Sequence, residues 1–372
     1  MFLAVKEIKR AKVRFGLLMA AIGLLVFLIL FQQTLQDGLL RAFVGAIDNQ
    51  SAPVLVYSVD GQRTLQGSII TPPLEAKING APGVGAHGRI GQGTFTVTVG
   101  AAQKSATIIG YQDPKLGAPT TVVAGRLPKT EGETVVGDEL GAGWQIGDRV
   151  RVEPGGYDVT VVGRAKNISL FANPTMFTTY PTYERAVRAV NPDATVILPN
   201  VIGVAPTPGV SNAQLVKNVN AASLDADALT KQDAAAKTPG VAQVRQSFFL
   251  IFLLYALVVP FVTGLFFLIL TFQKANALTL LRAIGAPSKR LVRALMVQVL
   301  IVMGVGLLIG VALYAPLSQQ TIGAIPLRFE TVPVIVWCTL LLVLGLVSAL
   351  FSARRVLRID PIEATTGAGV GS

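Results

Sequence analysis

Side chains able to do chemistry are sparse in this sequence. The one histidine among 372 residues, His87, sits in the Gly-rich stretch GVGAHGRIGQG, and the one cysteine, Cys338, falls inside an apolar run. No Cys or acidic cluster stands at metal-ligand spacing, so no metal site is expected. A Ser-His-Asp arrangement would have to use His87, and no G-x-S-x-G turn is present to offer a serine. His87 therefore reads as a solvated loop residue and Cys338 as a small apolar space-filler. No catalytic residue follows from these types and spacings. ATP chemistry within the chain is not expected either, because no G-x-x-x-x-G-K-[ST] loop occurs to cradle phosphates. One stretch stands out: residues 281 to 295, LRAIGAPSKRLVRAL, place a Gly, a Pro and four basic side chains between two long apolar runs.

The elements around that stretch define its setting. Four runs lack Asp, Glu, Lys and Arg: Phe15 to Phe31, Phe248 to Phe272, Ala294 to Leu317 and Val332 to Phe351. Each is near the ~20 residues that cross about 30 Å of hydrocarbon. Buried helices of a soluble protein would be shorter and fewer. A cleaved signal peptide is the alternative for the first run, which is long for that purpose and has no small-x-small site closing it. Lys6, Lys9, Arg10, Lys12 and Arg14 precede the first run, five Lys or Arg separate the second from the third, and Arg354, Arg355 and Arg358 follow the fourth. The positive-inside rule then puts both termini in the cytoplasm of a multi-pass protein of the cell membrane. The net charge of +11 fits the anionic inner leaflet, and no nucleic acid is required as a partner.

The expected layout is a cytoplasmic amphipathic helix at 1–14, a first span at 15–40, an extracytoplasmic domain at 41–245 and a second span at 246–272. A cytoplasmic segment at 273–293, a third span at 294–317, an external loop at 318–331, a fourth span at 332–353 and a cytoplasmic tail at 354–372 complete it. The fold class is thus an α-helical membrane protein with four transmembrane helices and an inserted α+β extracytoplasmic domain. In that domain APVLVYSVDG (52–61), GTFTVTVG (93–100), SATIIGYQ (105–112) and GDRVRVEPGGYDVTVVG (147–163) alternate like strands, the last forming a hairpin at Pro154-Gly155-Gly156. Helices are expected over 181–190 and over 211–229, the second with Ser211 as its N-cap.

Between the second and third runs, Leu278, Leu281, Ala283 and Ile284 give a short helix an apolar side, Gly285 can close it, and Pro287 can open the next helix. A plain basic loop with a chance turn is the other reading of the residues alone. The stretch LRAIGAPSKRLVRALMVQ, together with GRLPKTEGETVVGDELGAGWQIGDRVRVEPGGYDVTVVG (125–163), VKEIKRAKVRFGLLMAAIG at the N-terminus and IDPIEA (359–364), resembles the FtsX/MacB-like ABC transporter permease superfamily. The resemblance implies that Leu281, Arg282, Ala283, Ile284, Gly285 and Ala286, flanked by Lys289 and Arg290, form the coupling helix that docks on a separate ATPase. It also implies a homodimer on two copies of that ATP-binding subunit, which holds ATP and Mg. No cofactor is expected on this chain.

Within the superfamily the chain looks most like the permease subunit of a Gram-positive haem exporter, by size and general likeness. Haem would then be a substrate drawn from the membrane, needing an apolar slot, an axial ligand and cationic groups for its propionates. Arg245, Tyr255, Met303, Tyr314, Arg328 and Glu330 are the side chains of suitable type at suitable depth. Two other functions share the layout: an FtsX-like mechanotransmitter acting on an external cell-wall hydrolase, and a permease that senses or resists peptide antibiotics. Pro260 with Thr263 and Gly264 would loosen the second span, and Gly304, Gly306 and Gly310 offer a small-residue face for a close helix neighbour. Either feature could serve a lateral opening or simple packing.

Overall fold

A computed structural model describes residues 8, 10–138, 143–273, 288–318, 321–322 and 325–357. Leu281 to Ala286, most of the expected amphipathic helix at 1–14 and the IDPIEA ending lie outside the described residues. The chain divides into two compact units. One comprises Met1–Gln36, Gln246–Gln320 and Leu327–Ser372; the other comprises Asp37–Arg245 with Thr321–Pro326.

The second, external unit is built on strands β1 (Val54–Ser58), β2 (Val84–Val99), β3 (Ala102–Tyr111), β4 (Val122–Gly125), β5 (Glu133–Gly137), β6 (Arg149–Glu153), β7 (Tyr157–Ala165), β8 (Thr175–Thr179), β9 (Val201–Pro206) and β10 (Ala226–Thr230). They pair in the order β10-β1-β9-β2-β3-β8-β5-β7-β4, with β6 joining β2 to β7. Through β6 the strands β2, β3, β8, β5, β7 and β6 pair in a closed cycle, which leaves them no free edge along it. Alternate residues of this cycle point to a shared core: Phe95, Val97, Ile108, Val150, Val152, Val159 and Val161. In β1 every residue is buried, because Val54 and Val56 join a core with Leu74, Ile78, Leu215 and Val219 while Leu55 and Tyr57 join another with Ile109 and Phe177. A strand covered on both faces reads as a continuous apolar run instead of an alternating one.

Helices α2 (Pro72–Asn79), α3 (Tyr180–Val190), α4 (Asn212–Ala222) and α5 (Lys231–Lys237) complete this unit, following a long first helix, α1 (Lys12–Asp48). The expected hairpin is present, with Val152 opposite Tyr157 and Gly156 at φ +68°, a left-handed value that favours glycine. Ser211 caps α4 as its spacing indicated, its hydroxyl accepting the Gln214 N–H at 3.2 Å.

Two expectations need correction. The helix read over 211–229 ends at Ala222, and residues 226 to 230 form β10, paired antiparallel with β1. ADALT has the composition of a helix, but pairing with β1 and burial beside it override that weak preference. The Gly-rich stretch around His87 is likewise a strand and not a loop, since His87 lies in β2 opposite Val204 of β9 and is exposed there. Its glycines serve a close approach: a Cβ on Gly91 would stand 2.2 Å from the Tyr183 ring of α3, and one on Gly110 in β3 would stand 2.3 Å from Tyr183 Cβ.

The helical unit contains most of α1 with α6 (Val241–Gln273, shared with the external unit up to Arg245), α7 (Ser288–Leu317) and α8 (Thr331–Leu357). A short pair, β11 (Thr321–Ile322) and β12 (Ile325–Pro326), separates α7 from α8 in sequence. All four helices are long and apolar enough to cross a membrane. At 37 residues α1 rises about 55 Å, well over the ~30 Å that spanning requires, so the helix extends past the expected end at residue 40. Its interior face carries Phe15, Leu18, Ile22, Val26 and Ile29 into a core with Val299, Val302, Met303 and Leu341.

Candidate functional site in the helical unit

Close packing of α1 on α7 is set by small residues. A Cβ on Gly306 would meet Ile22 Cγ2 at 2.6 Å, and one on Gly310 would meet Val26 Cβ at 2.6 Å and the Gly23 carbonyl at 2.7 Å. Gly23 in turn would strike Ile309. The G-x-x-x-G face of α7 therefore packs on α1 of the same chain. Gly304 differs: nothing lies within 4 Å of where its Cβ would be.

Polar groups inside this unit bridge helices. Thr34 of α1 and Tyr314 of α7 share a short hydroxyl–hydroxyl hydrogen bond in the interior, and the Tyr314 hydroxyl also donates to the Arg328 carbonyl at 3.2 Å. The Tyr314 ring lies against Phe329 with centroids 5.4 Å apart. Close by in sequence, the Trp337 indole N–H of α8 donates to Gln33 Oε1 at 3.2 Å, and its ring sits 4.9 Å from that of Phe252 in α6. In a medium without water, such groups are satisfied only by one another.

Pro260 interrupts α6, where it removes one N–H from the helical ladder. Two hydroxyls add hydrogen bonds beside it. Thr263 donates to the Val259 carbonyl at 2.7 Å, and Ser348 of α8 donates to the Pro260 carbonyl at 2.6 Å. The first bond is the i−4 back-bonding that threonine makes within helices; the second ties α6 at Pro260 to a neighbouring helix.

The candidate substrate residues fall into two groups. Met303 is fully buried and would be struck at 2.6 Å by a side chain on Gly345, so it fills the α7–α8 interior. Tyr314 is 2 % exposed with its hydroxyl already engaged, and to ligate iron it would have to leave Thr34 and Arg328. The rest are more accessible. Tyr255 is partly buried against the helical core, Arg328 and Glu330 are partly exposed just before α8, and Arg245 is exposed in the second turn of α6. Of the coupling residues, Lys289 and Arg290 lie in the first turn of α7 by their backbone, and the others are outside the described residues. Among the described residues no group of His, Cys, Asp and Glu could hold a metal ion.

The conspicuous motif of the external unit proves architectural. In GRLPKTEGE, Gly125 at φ +71° lets the chain pass over β7, since its Cβ would fall 2.3 Å from the Val162 carbonyl. Arg126 then clasps Glu133 with two guanidinium hydrogen bonds of 2.6 and 2.5 Å, while the Lys129 and Thr130 N–H groups donate to the same carboxylate. The Arg126 hydrogen bond foremost, helped by those backbone donors, lowers the Glu133 carboxyl to about 2. Nearby, burial raises the Tyr183 hydroxyl to about 12, consistent with a packing role against Gly91.

Sequence reasoning missed Thr34, Gln33, Trp337 and Ser348. Their signal was modest: hydroxyl, amide or indole groups inside or bordering otherwise apolar runs, where each must find a partner.

Comparison with known proteins bears on these helices. The FtsX-like permease C-terminal family matches residues 248–361. The putative hemin transport system permease protein HrtB of Staphylococcus haemolyticus is 26% identical over 370 residues, 99% of this chain and 99% of that protein. Its namesake in Staphylococcus epidermidis is 24% identical over 368 residues, again covering 99% of both chains. An uncharacterised ABC transporter permease of Mycobacterium tuberculosis is 24% identical over 372 residues, 99% of each. Among solved structures, the periplasmic region of MacB from Actinobacillus actinomycetemcomitans aligns with 50% of this chain and 92% of its own, at TM-score 0.37 and 12% identity. The extracellular domain of the noncanonic ABC-type transporter YknZ from Gram-positive bacteria aligns with 48% of this chain and 99% of its own, at TM-score 0.34 and 12% identity.

Proposed function

We propose that this chain, which matches the FtsX-like permease C-terminal family over residues 248–361, is the membrane subunit of an ATP-driven efflux system whose cargo is haem, taken from the membrane. The observation that carries the reading is end-to-end collinearity with relatives named as hemin transport permeases, over 99% of both chains. ATP would be hydrolysed on a separate subunit, since this chain has no phosphate-binding loop. Two copies of the chain would sit on two copies of that ATPase, with both termini cytoplasmic as the flanking Lys and Arg indicate.

In this reading residues 281–286, with Lys289 and Arg290, receive the ATPase's motion. ATP does work only by favouring one arrangement of the permease pair over another. α7 and α8 lead away from the docking segment, and the Ser348 bond to the Pro260 carbonyl would carry their displacement to α6 at Pro260. For the cargo, Arg245 and Arg328 are the cations accessible to propionates, and Tyr255 or Glu330 the ligands accessible to iron. Met303 and Tyr314 hold the helices together instead.

The test is to purify the chain with its ATPase and titrate haemin. A Soret shift with haemin-stimulated ATP hydrolysis is expected. No shift with unchanged hydrolysis would remove haem as the cargo.

A further inference from the structure

The outward side of α7 and α8 carries an apolar groove that the cargo reading does not use. One end, about 400 Å³ in volume, is lined by Met296, Val297, Leu300, Leu346, Val347 and Leu350, and Arg293 closes it. At Leu300 it meets a second stretch of about 600 Å³, which runs past Gly304 and Leu308 to Val311 and Cys338. Gly304 deepens it, having no side chain and no neighbour within 4 Å of its Cβ position. From Arg293 to Gly304 the helical rise is about 16 Å, half of the ~30 Å hydrocarbon layer and thus the depth of one leaflet.

The sequence flanking the Arg293 end is basic. Arg293 is exposed, Lys289 and Arg290 lie one turn earlier in α7, and Arg354 lies one turn past Leu350 in α8. Neither α7 nor α8 contains an Asp or a Glu. A cation at the mouth of a hydrocarbon-lined slot calls for an anion attached to an apolar chain.

We propose that the groove between α7 and α8 is a binding site for an anionic membrane phospholipid, its phosphate on Arg293 and one acyl chain laid along Met296, Leu300 and Gly304. A helix from a second copy would fill the apolar part but offer no anion to Arg293, since α7 and α8 contain no Asp or Glu, whereas a phosphate complements it. The lipid is distinct from the cargo, because the accessible cargo candidates Arg245, Arg328 and Glu330 do not line this groove. By occupying the slot it holds α7 and α8 in one relative placement, and its headgroup lies within one helical turn of Arg290 in α7.

The full-length chain, extracted in mild detergent and mixed with equal amounts of phosphatidylglycerol and phosphatidylcholine, is analysed by native mass spectrometry. The wild type should retain phosphatidylglycerol about fivefold over phosphatidylcholine, the ~1 kcal/mol of one cation near an anionic headgroup. Arg293→Gln should lose that preference, Arg293→Lys should keep it, and Leu300→Trp should reduce retention of both lipids. Equal retention by the wild type, or a preference unchanged in Arg293→Gln, overturns the proposal. If Arg293→Gln does not accumulate, unchanged phosphatidylglycerol retention in Leu300→Trp does so instead. Cys338, the one cysteine of the chain, adds an independent arm. Efficient Cys338 cross-linking between copies in phosphatidylglycerol liposomes would make this face a protein interface and also overturn the lipid site.

Discussion

In the external unit Arg126 and Glu133 meet at the surface, seven residues apart in one segment; in the helical unit Thr34 and Tyr314 meet in the interior from opposite ends of the chain. The contrast follows from solvent. Water satisfies whatever the external unit leaves at its surface, so its polar motifs shape local turns and its cores are closed by strands. The helical unit must satisfy polar groups across helices, and it leaves long apolar faces of α6 and α8 exposed, Leu253, Leu257 and Phe261 among them. Stability in one unit rests on apolar interdigitation within a closed cycle of strands. In the other it rests on small-residue contacts and a few bridging hydrogen bonds.

Each unit has its own tryptophan, Trp144 externally and Trp337 in α8, so unfolding of the full chain is separable by replacing one or the other with Phe. Phe177, 1 % exposed, should give the largest effect. Phe177→Ala is expected to cost about 4 kcal/mol and to lower the midpoint seen by Trp144 without moving that of Trp337. A common shift of both probes would show that the two units unfold together, erasing the distinction. Gly310→Leu should act in the opposite sense, costing about 3 kcal/mol at Trp337, while Gly304→Leu stays within about 0.5 kcal/mol. Equal damage from both would mean that α1 does not pack where Gly310 is.

Smaller effects sharpen the difference. Tyr314→Phe keeps the ring and removes the bridge to Thr34, and a loss of about 1 kcal/mol at Trp337 is expected. In the external unit the effect is one of acidity. Because the folded Glu133 carboxyl titrates near 2, below its unfolded range near 4.5, the unfolded chain binds more protons between those values. The clasp's contribution is therefore complete above about pH 4.5 and lost as pH falls towards 2. Glu133→Gln should flatten the Trp144 stability profile in that window, and an unaltered profile would show that Arg126 does not hold the carboxylate.

The four spans were legible because charge-free runs of that length have one common explanation, and the Pro154-Gly155-Gly156 hairpin and the Ser211 cap because their signals are local. Strand β10 was not legible: Ala226 to Thr230 has helical composition, and its partner β1 lies over 160 residues away. The strand at His87 was hidden for a related reason. Glycine normally punctuates, but Gly91 and Gly93 are needed where the Tyr183 and Phe95 rings lie against β2. For the site, residue type marked Tyr314 and Met303 as possible ligands, but not that Tyr314 is hydrogen-bonded to Thr34 and the Arg328 carbonyl or that Met303 lies against Gly345. Ser348 could not be linked to Pro260, 88 residues away, from spacing alone.

The central claim, that the helical unit expels haem using motion received at residues 281–290, is tested most directly in proteoliposomes. The chain with its ATPase is reconstituted, haemin is loaded into the bilayer, and its loss to an external haem-binding protein is followed with and without ATP. ATP-dependent loss is expected, and Gly285→Val should abolish it while ATP hydrolysis continues. Haemin loss that ignores ATP, or that proceeds unchanged in Gly285→Val, would contradict the account.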